Sequence, residues 1–436
     1  MKTIACKFGG SSVADASQIL KVKAIVDSDP ARQYIVVSAP GKRSDDDQKI
    51  TDLLLLAWET AQNKMDTGSI LEVINKRYQE ISKDLKLDYD LGPELKEIEK
   101  QLSTESSDYA ASRGEYLNGK LIAELLGATF IDPAQVITID QDGSLNEELT
   151  YPAVAKALNN NGRCVIPGFY GSDPTGKVKT FSRGGSDISG AIIARAVEAD
   201  VYENWTDVSG LLMADPRIVP NPEPISEVSY TELRELSYMG AHVLHDEAIF
   251  PVKGLNIPVH IKNTNSPDDA GTSIVGKVKH RATPIVGLAG KKGFDAVFMQ
   301  KILMNKEVGF IRRLLEIFES NGLSIEHLPS GIDTVSVIVR QKAFDAKRKK
   351  VLSEIEQTLK VDDLATYEGI ALIAVVGAGM AYHPGIAATV FRSLSDEGIN
   401  IRLIDQGASE LNIILGVEEP DFNKAINAIY RAFIKT

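Results

Sequence analysis

Apolar and polar positions alternate between two periods over the first 262 residues. Short apolar runs are typical of strands, and the segments between them have apolar residues every three or four positions, which is typical of helices. Between Thr51 and Leu126 the helical period is almost continuous, with one polar face. This alternation predicts a mostly parallel α/β sheet between helices. The predicted strands are residues 4–6, 34–38, 128–131, 164–168, 201–205 and 257–261.

The C-terminal part contains an internal repeat with an offset of 76 residues, which pairs Met304 with Met380. Each copy has a strand, a glycine at a helix start, apolar residues at helical spacing, a glycine at the helix end and another strand. The pattern predicts two βαβ units in tandem, which could be a structural spacer or a pair of small ligand-binding modules. Further matches are Gly309 with Gly385, Gly322 with Gly398, and Ile325 with Ile401.

Two polar segments rich in turn-forming residues, 264–273 and 290–294, predict a domain boundary. We expect one domain over residues 1–283 and a second, which holds the repeat, over residues 284–436. We expect the first repeat module at about 297–362 and the second at about 368–436. A further strand at 284–290 would nest the first module within the second.

Composition narrows the classes of function. The net charge of −12 argues against a nucleic-acid partner, so anionic substrates must be met by local cations. Cys6 and Cys164 lie in apolar runs, which favours buried thiols in a reducing cytoplasm over a disulfide or a metal pair. The longest nearly apolar run, residues 370–381, contains glycines and is too short to cross a bilayer. We therefore expect a cytoplasmic enzyme or binding protein without a membrane partner.

The segment Lys-Phe-Gly-Gly-Ser-Ser-Val, residues 7–13, lies between the first strand and a predicted helix over residues 15–26. Two adjacent glycines allow backbone N–H groups to approach an anion, and a following helix would direct its positive end to the same place. Lys7 adds a mobile charge. The segment therefore predicts a phosphate site, although a tight turn with a surface lysine would have the same pattern.

Three further segments carry candidate chemistry. Phe-Ser-Arg-Gly-Gly-Ser-Asp, residues 181–187, is a second glycine-rich junction and leads into a predicted helix over 188–197. Trp-Thr-Asp-Val-Ser-Gly, residues 205–210, continues to Asp-Pro-Arg at 215–217, and Ser-Arg-Gly-Glu occupies 112–115 in the helical layer. Each is weak alone, since serine and aspartate at a helix start are ordinary caps.

In their order along the chain, which is 7–13, 112–115, 181–187 and 205–210, and with the C-terminal repeat, the four motifs resemble the aspartokinases of the amino-acid kinase family, and the repeat resembles their two regulatory ACT modules. The resemblance covers essentially the whole chain. It implies an amino-acid kinase fold followed by two α+β modules of ferredoxin-like βαββαβ topology. It also implies phosphoryl transfer from ATP to the side chain of L-aspartate, the first step toward lysine, threonine and methionine. Mg²⁺ would be held mainly by the phosphates and water, without a protein metal cage.

The resemblance also implies roles for individual residues. Lys7 would neutralise charge on the transferred phosphoryl group beside the N–H groups of Gly9 and Gly10, and Asp187 would orient Lys7 through an ion pair. Arg183 and Glu115 would bind the α-carboxylate and α-ammonium of aspartate. The remaining substrate residues would be Ser38 and Thr51, which flank a loop, Gly41 to Lys49, that is longer than the family pattern. The nucleotide residues would be Lys7, Phe8, Gly9, Gly10, Ser186, Thr206, Asp207, Leu212, Arg217, His242 and Val243.

Two of the nucleotide positions depart from the family pattern. Lysine-sensitive enterobacterial members have Tyr where Leu212 stands and Lys where His242 stands.

For regulation, the resemblance implies an amino-acid effector, lysine or threonine, bound where ACT modules pair across a homodimer or a dimer of dimers. Effector binding would then favour a dimer arrangement that disfavours the closed kinase domain. Glu326 and Asp333 could equally be exposed charges at strand ends. The implied effector residues are Met304, Gly309, Phe310, Ile311, Ser324, Glu326 and Asp333.

Two other functions have to be weighed against an aspartokinase. Another amino-acid kinase would act on glutamate or carbamate, and Glu115 and Arg183 in their motifs weigh against it. A non-catalytic amino-acid sensor would keep the fold without the chemistry, but Lys7, Arg183 and Asp187 are all present.

Overall fold

A computed structural model describes residues 2–159, 161–182, 184–241, 244, 246–278 and 283–434. The chain forms two compact units, and each is discontinuous in sequence. The segments 212–223 and 234–241 belong to the second unit although they precede its main body. No single boundary in the sequence therefore separates the two units. The predicted domain bounds therefore stay a prediction. The first unit comprises residues 1–211, 224–233 and 242–278, and the second comprises 212–223, 234–241 and 279–436.

Residues 2–278 contain the mixture of strands and helices that the apolar pattern predicts, with four successive helices between residues 50 and 126. In chain order they are β1 (Ile4–Phe8), α1 (Ala16–Asp27), β2 (Arg32–Val37), α2 (Ile50–Gln62), α3 (Gly68–Asp84), α4 (Gly92–Gln101), α5 (Ser107–Leu126), β3 (Thr129–Phe130), α6 (Glu147–Leu158), β4 (Cys164–Pro167), β5 (Tyr170–Ser172), β6 (Val178–Thr180), α7 (Gly185–Ala196), β7 (Val201–Thr206), β8 (Leu211–Leu212), β9 (Pro224–Ile225), β10 (Glu227–Ser229), α8 (Tyr230–Tyr238), α9 (Phe250–Lys253), β11 (Val259–Asn263) and β12 (Thr272–Val275).

The first unit is built on an eight-stranded sheet with the order β10-β12-β11-β7-β1-β2-β4-β3. Its pairs are parallel except β11 with β12. The predicted mostly parallel sheet is confirmed. Since β1 lies between β2 and β7, its C-terminal end is in the middle of the carboxyl edge of the sheet, where open α/β sheets bind ligands.

The alternation of side chains along β1 decides which face Lys7 occupies. Ile4, Cys6 and Phe8 belong to the core formed with helices α1 to α5, and Trp205 of β7 stacks on Phe8 with 5.9 Å between ring centroids. Successive residues of a strand point to opposite faces, so Lys7 lies on the other side of the sheet. Helix α7 packs against β1, β2 and β7.

The helix predicted over residues 15–26 is α1, and a short turn separates it from the first glycine pair. Residues Gly10–Val13 form a 3₁₀ turn, and α1 starts at Ala16. Asp15 caps α1, because its side chain accepts a hydrogen bond from the Gln18 N–H at 3.0 Å. That the positive end of this helix meets the anion site stays a prediction.

The second unit contains a six-stranded sheet with the order β14-β15-β13-β16-β18-β17, and every recorded pair in it is antiparallel. Its strands and helices beyond residue 283 are β13 (Gly287–Gln300), α10 (Phe310–Ser320), β14 (Ile325–His327), β15 (Thr334–Arg340), α11 (Gln341–Asp345), α12 (Arg348–Leu359), β16 (Asp363–Val376), α13 (Ile386–Asp396), β17 (Leu403–Asp405), β18 (Asn412–Glu418) and α14 (Phe422–Phe433).

The polar segment 290–294 lies inside β13, so the boundary predicted there is wrong. The register between β13 and β16 shifts between Lys291 and Phe294, and Gly293 has φ +87°. A bulge with a glycine at positive φ accounts for a turn-like composition within a strand.

The two copies of the repeat have matching local structure. Gly309 and Gly385 precede α10 and α13 with φ of +82° and +96°, values that favour glycine. Short 3₁₀ turns, Met304–Lys306 and Ala378–Tyr382, stand before them at equivalent places. The predicted tandem α+β modules are confirmed.

Candidate active site

Lys7 and Asp187 form the ion pair that the motifs predict. Lys7 Nζ lies 2.6 Å from Asp187 Oδ1, and both side chains are largely buried. Asp187 is in the first turn of α7, which packs on the face of the sheet that Lys7 occupies. A Cβ on Gly9 would lie 3.3 Å from Lys7 Nζ, so the absence of a side chain there leaves room for the ammonium.

Asn204 completes this cluster, and sequence reasoning missed it. The register of β1 with β7 pairs Lys7 with Asn204. Asn204 Nδ2 donates to Asp187 Oδ1 at 2.8 Å, and Lys7 Nζ donates to Asn204 Oδ1 at 3.4 Å. A polar residue in an otherwise apolar central strand was the signal that could have found it.

The first glycine pair, Gly9 and Gly10, makes close backbone contacts within the fold. The Gly9 N–H donates to the Trp205 carbonyl at 3.1 Å, so the prediction that this N–H meets the phosphoryl group is wrong. The Gly10 carbonyl accepts the Gly41 N–H at 2.9 Å, and a Cβ on Gly41 would lie 2.6 Å from the Gly10 carbonyl carbon. The loop after β2 therefore lies directly against the turn after β1.

The second glycine-rich junction also depends on close packing. A Cβ on Gly168 would lie 2.8 Å from Cβ of Ser186, and one on Gly185 would overlap the ring of Phe169. The Phe169 N–H donates to Ser189 Oγ at 2.9 Å. These contacts place the start of α7, including Ser186 and Asp187, beside the end of β4. Arg183 lies outside the described residues.

Glu115 is buried next to the residues that follow β2. Burial raises the pKa of its carboxyl to about 7, against a hydrogen bond from the Ala39 backbone N–H that lowers it. Glu115 Oε2 is buried without a hydrogen-bond partner among the residues that the structure describes. One turn later on α5, Asn118 Nδ2 donates to the Ser38 carbonyl at 2.7 Å. An unpaired buried carboxylate oxygen is well suited to a ligand N–H.

The position of Thr51 follows from the packing of α2 on α5. A Cβ on Gly114 would lie 2.8 Å from Cβ of Ala39 and 3.2 Å from Cγ2 of Ile50, so no larger residue fits. Thr51 is the second residue of α2, next to Ile50, and is half-buried. Three of the predicted substrate residues, Ser38, Thr51 and Glu115, therefore lie in one neighbourhood.

The long loop Gly41–Lys49 is held by a buried cation that sequence reasoning also missed. Arg77 of α3 donates to Asp47 Oδ2 at 2.6 Å, to the Gly41 carbonyl at 2.8 Å and to the Ala14 carbonyl at 2.8 Å. Arg43 binds the same carboxylate from the surface. Hydrogen bonds from Arg43, together with the one from Arg77, hold the pKa of Asp47 well below its usual range.

The predicted nucleotide residues fall in several places. Thr206 ends β7, and its carbonyl accepts the Thr264 N–H at 2.9 Å, while Asp207 is exposed. The Phe8 side chain is fully buried, so only its backbone can meet a ligand. Leu212 and Arg217 belong to the second unit, where both are exposed and Arg217 pairs with Asp215. His242 and Val243 lie outside the described residues.

Most of the predicted effector residues surround one turn of the second unit. Asp333 Oδ1 accepts the Leu303 N–H at 2.9 Å, directly before the 3₁₀ turn that contains Met304. The Phe310 side chain is part of the module core, next to the half-buried Ile311. Ser324 is exposed, and Gly309 starts α10.

Glu326 is already engaged within the chain. Its Oε1 accepts from Arg340 Nε at 2.8 Å and its Oε2 from the Tyr238 hydroxyl at 2.6 Å. A role in effector binding would require these contacts to open.

The described residues contain no group of three or more His, Cys, Asp or Glu side chains placed to hold a metal ion. In the same part of the chain, no helix is both long and apolar enough to cross a membrane.

Comparisons with known proteins agree with this architecture. Residues 2–263 match the model of the amino acid kinase family, and residues 373–433 match an ACT domain. Aspartokinase 3 of Bacillus subtilis is 40% identical, with 98% of each chain covered. The crystal structure of the aspartate kinase of Clostridium acetobutylicum is 50% identical, covers both chains completely and superposes with a TM-score of 0.92.

Aspartokinase III of E. coli is similar in two ligand states, at 25% identity. Its complex with aspartate and ADP (R-state) covers 99% of each chain with a TM-score of 0.76. Its complex with lysine and aspartate (T-state) covers both chains completely with a TM-score of 0.74. The fold and site thus define an amino acid kinase. The chain belongs to the aspartokinases of that family, and the predicted family, fold class and enzyme class are confirmed.

Proposed function

We propose that this chain transfers the γ-phosphoryl group of ATP to the side-chain carboxylate of L-aspartate, with Lys7 as the cation that meets the transferred group. The observation that carries the proposal is the buried cluster of Lys7, Asp187 and Asn204 at the carboxyl edge of the sheet. A lysine held between a carboxylate and an amide presents its charge in a fixed direction, which is what electrostatic catalysis of phosphoryl transfer needs.

The acceptor requires no general base. An aspartate side chain has a pKa of about 3.9 and is an anion at neutral pH. Its oxygen forms a bond to the γ-phosphorus while the bond from that phosphorus to the bridging oxygen breaks, and ADP leaves with the electron pair. Lys7 would stabilise charge on the transferred group and on the leaving phosphate. When bound, Mg²⁺ would supply further charge neutralisation, held mainly by the phosphates and water, because this ion gives up its water ligands reluctantly.

For aspartate recognition we assign the α-ammonium to Glu115. Its buried Oε2, which has no hydrogen-bond partner among residues with described placement, would gain an N–H donor and an opposite charge on binding. Arg183 would bind the α-carboxylate, and Ser38 and Thr51 would complete the pocket. Thr206, Asp207, Ser186 and the backbone of Phe8 and Gly10 would meet the nucleotide, with Leu212, Arg217, His242 and Val243 as the remaining candidates.

The second unit would regulate the first. We propose residues 1–283 as the catalytic domain and 284–436 as the regulatory region. Lysine is the favoured effector, because the E. coli relative binds it in its T-state, and threonine is the alternative. The carboxylate of Asp333, which accepts the Leu303 N–H directly before Met304, would suit the effector ammonium.

We further propose a homodimer, or a dimer of dimers, that pairs through this region. Val308 is 96% exposed, and Ile302, Leu303 and Ile332 nearby are also exposed, so a second copy would cover apolar side chains next to the effector residues. Cys6 and Cys164 are both free and buried, which fits a cytoplasmic location.

The test of function is aspartyl hydroxamate formation from aspartate, ATP and hydroxylamine. Wild-type protein should form the hydroxamate, and Lys7→Ala should not. Glutamate is the acceptor control, and faster ADP release with glutamate than with aspartate would assign the chain to another substrate. Added lysine should inhibit; a flat response to both lysine and threonine would remove the proposed feedback role.

A further inference from the structure

Asn204 is a buried amide in the middle of a central parallel strand. Its side chain is 3% exposed, and β7 has a strand on each side. Asparagine is depleted in strands, and buried parallel strands are mostly apolar. The polar atoms of such buried side chains nearly always have hydrogen-bond partners.

Both polar atoms of Asn204 bind the proposed catalytic pair. Its N–H donates to the same Asp187 oxygen that Lys7 binds, at 2.8 Å, while its carbonyl oxygen accepts from Lys7 at 3.4 Å. Lys7 Nζ lies 2.6 Å from that oxygen, so the three side chains close a triangle. Asn204 therefore contacts each partner independently.

This triangle distributes the donors of Lys7. An ammonium has three N–H groups, and two are directed to Asp187 and Asn204, which leaves one for a phosphoryl oxygen. Without the amide, the Asp187 carboxylate could rotate and bind Lys7 with both oxygens. The charge presented to the phosphoryl group would then be reduced and less well oriented.

The backbone at Asp187 is held by a different group. The Tyr202 hydroxyl donates to the Asp187 carbonyl at 3.0 Å. Loss of the Asn204 side chain should therefore change the orientation of the Asp187 carboxylate more than the position of α7.

We propose that Asn204 is a positioning residue for phosphoryl transfer, which fixes the Asp187 carboxylate and the Lys7 ammonium in their reactive arrangement. The inference rests on the proposed function of Lys7. A merely structural Asn204 would fill its place in the strand and leave kcat unchanged in folded protein.

The first experiment measures kcat and both KM values of Asn204→Leu in the full-length protein. We expect kcat to fall by about 10- to 100-fold, the range for a lost hydrogen bond to a charged group, with KM for aspartate and ATP within about twofold. Asn204→Asp has nearly the same shape but replaces the donor facing Asp187 with an acceptor, so it should also lose kcat. It provides the test if the leucine variant does not fold.

The matched control is Asn321→Leu. Asn321 is also buried, and it donates to Glu354 at 2.7 Å in the second unit. Its loss should cost stability with kcat within about twofold of wild type, because a buried amide is lost without any contact to Lys7 or Asp187.

A double variant tests whether Asn204 acts through Asp187. In the Asp187→Asn background, Asn204→Leu should lower kcat by less than about threefold, since the pair it positions is already broken. An undiminished effect there, a change confined to KM, or kcat near wild type in both Asn204 variants would each overturn the proposal. Failure of the proposed function would show earlier, as wild type without activity or Lys7→Ala with activity.

Discussion

Arg77 and Asp47 form an ion pair inside the fold, with Arg77 Nη1 2.6 Å from Asp47 Oδ2. The same guanidinium holds the carbonyls of Gly41 and Ala14, so one side chain joins the turn after β1 to the loop after β2. The turn after β1 contains Gly10, and the loop after β2 leads into α2, which contains Thr51. The arrangement therefore ties the proposed nucleotide side to the proposed aspartate side.

Arg77→Gln should impair both stability and catalysis. Three hydrogen bonds from a buried charge are lost, so the free energy of unfolding should fall by about 3 kcal/mol. Displacement of the two loops should reduce kcat/KM for aspartate by about tenfold or more. Thermal unfolding and steady-state kinetics measure the two effects.

Arg43→Gln is the control for Arg77→Gln, because Arg43 binds the same carboxylate but its side chain is 44% exposed against 5% for Arg77. Surface pairs contribute about 0–1 kcal/mol, so this variant should stay near wild type. Equal effects of the two variants would contradict the role of Arg77.

Because of Glu115, kcat/KM for aspartate should depend on pH near neutrality. Burial raises the pKa of its carboxyl to about 7, so the neutral form predominates below that pH and cannot pair with the α-ammonium. We expect kcat/KM for aspartate to fall by about tenfold per pH unit below this pKa, since that ratio reports the free enzyme.

Glu115→Gln should have a low kcat/KM without this acidic limb. The measurement is the initial rate at low aspartate concentration over about pH 5.5 to 8.5, a range that brackets the Glu115 pKa of about 7. A wild-type profile that is flat across this range would exclude Glu115 as the titrating partner.

The same carboxyl should cost stability at alkaline pH. Its pKa is raised from 4.5 in the unfolded chain to about 7 in the fold, so the folded state binds more protons in that window. The free energy of unfolding therefore falls as the pH rises from 4.5 through about 7, by up to about 3 kcal/mol. Glu115→Gln should be more stable than wild type at pH 8 and similar below the unfolded pKa. A variant that is less stable at both would show that the carboxylate is better satisfied than its contacts indicate.

Gly9→Ala should separate folding from catalysis. Gly9 has φ −70° and ψ 167°, which alanine adopts without strain, but its Cβ would lie 3.3 Å from Lys7 Nζ. We expect normal thermal unfolding and a kcat reduced by about tenfold, because small displacements of a catalytic charge are costly. Gly407→Ala, where the nearest atom would be 3.9 Å away, is the control for glycine replacement. An unchanged kcat in Gly9→Ala would mean that Lys7 tolerates displacement.

Asp333→Asn should weaken lysine inhibition. The change removes the charge that would meet the effector ammonium and keeps an acceptor for the Leu303 N–H, so the half-inhibitory lysine concentration should rise about tenfold. Asp362→Asn is the matched control, because Asp362 accepts the neighbouring Ile302 N–H at 2.7 Å. A larger shift in the control than in Asp333→Asn would assign the effect to the turn rather than to the charge.

Much of the site was predictable because its signals are local. The glycine pair beside Lys7, the Arg-Gly-Gly-Ser-Asp junction and the repeat are short patterns whose chemistry depends on adjacent residues. Alternation along β1 makes the opposite orientation of Lys7 and Phe8 a property of the strand itself. The order of strands and helices follows from the apolar period in the same way.

The sequence by itself determined the class of fold, the tandem modules and the cation and carboxylate that form the ion pair. Only the tertiary structure decided that Asn204 bridges this pair, since the contact joins residues 197 positions apart through strand register. The occupied Gly9 N–H and the loop contacts of Arg77 depend on packing in the same way. Register and loop packing arise from the whole folded core, so no local pattern of residues encodes them.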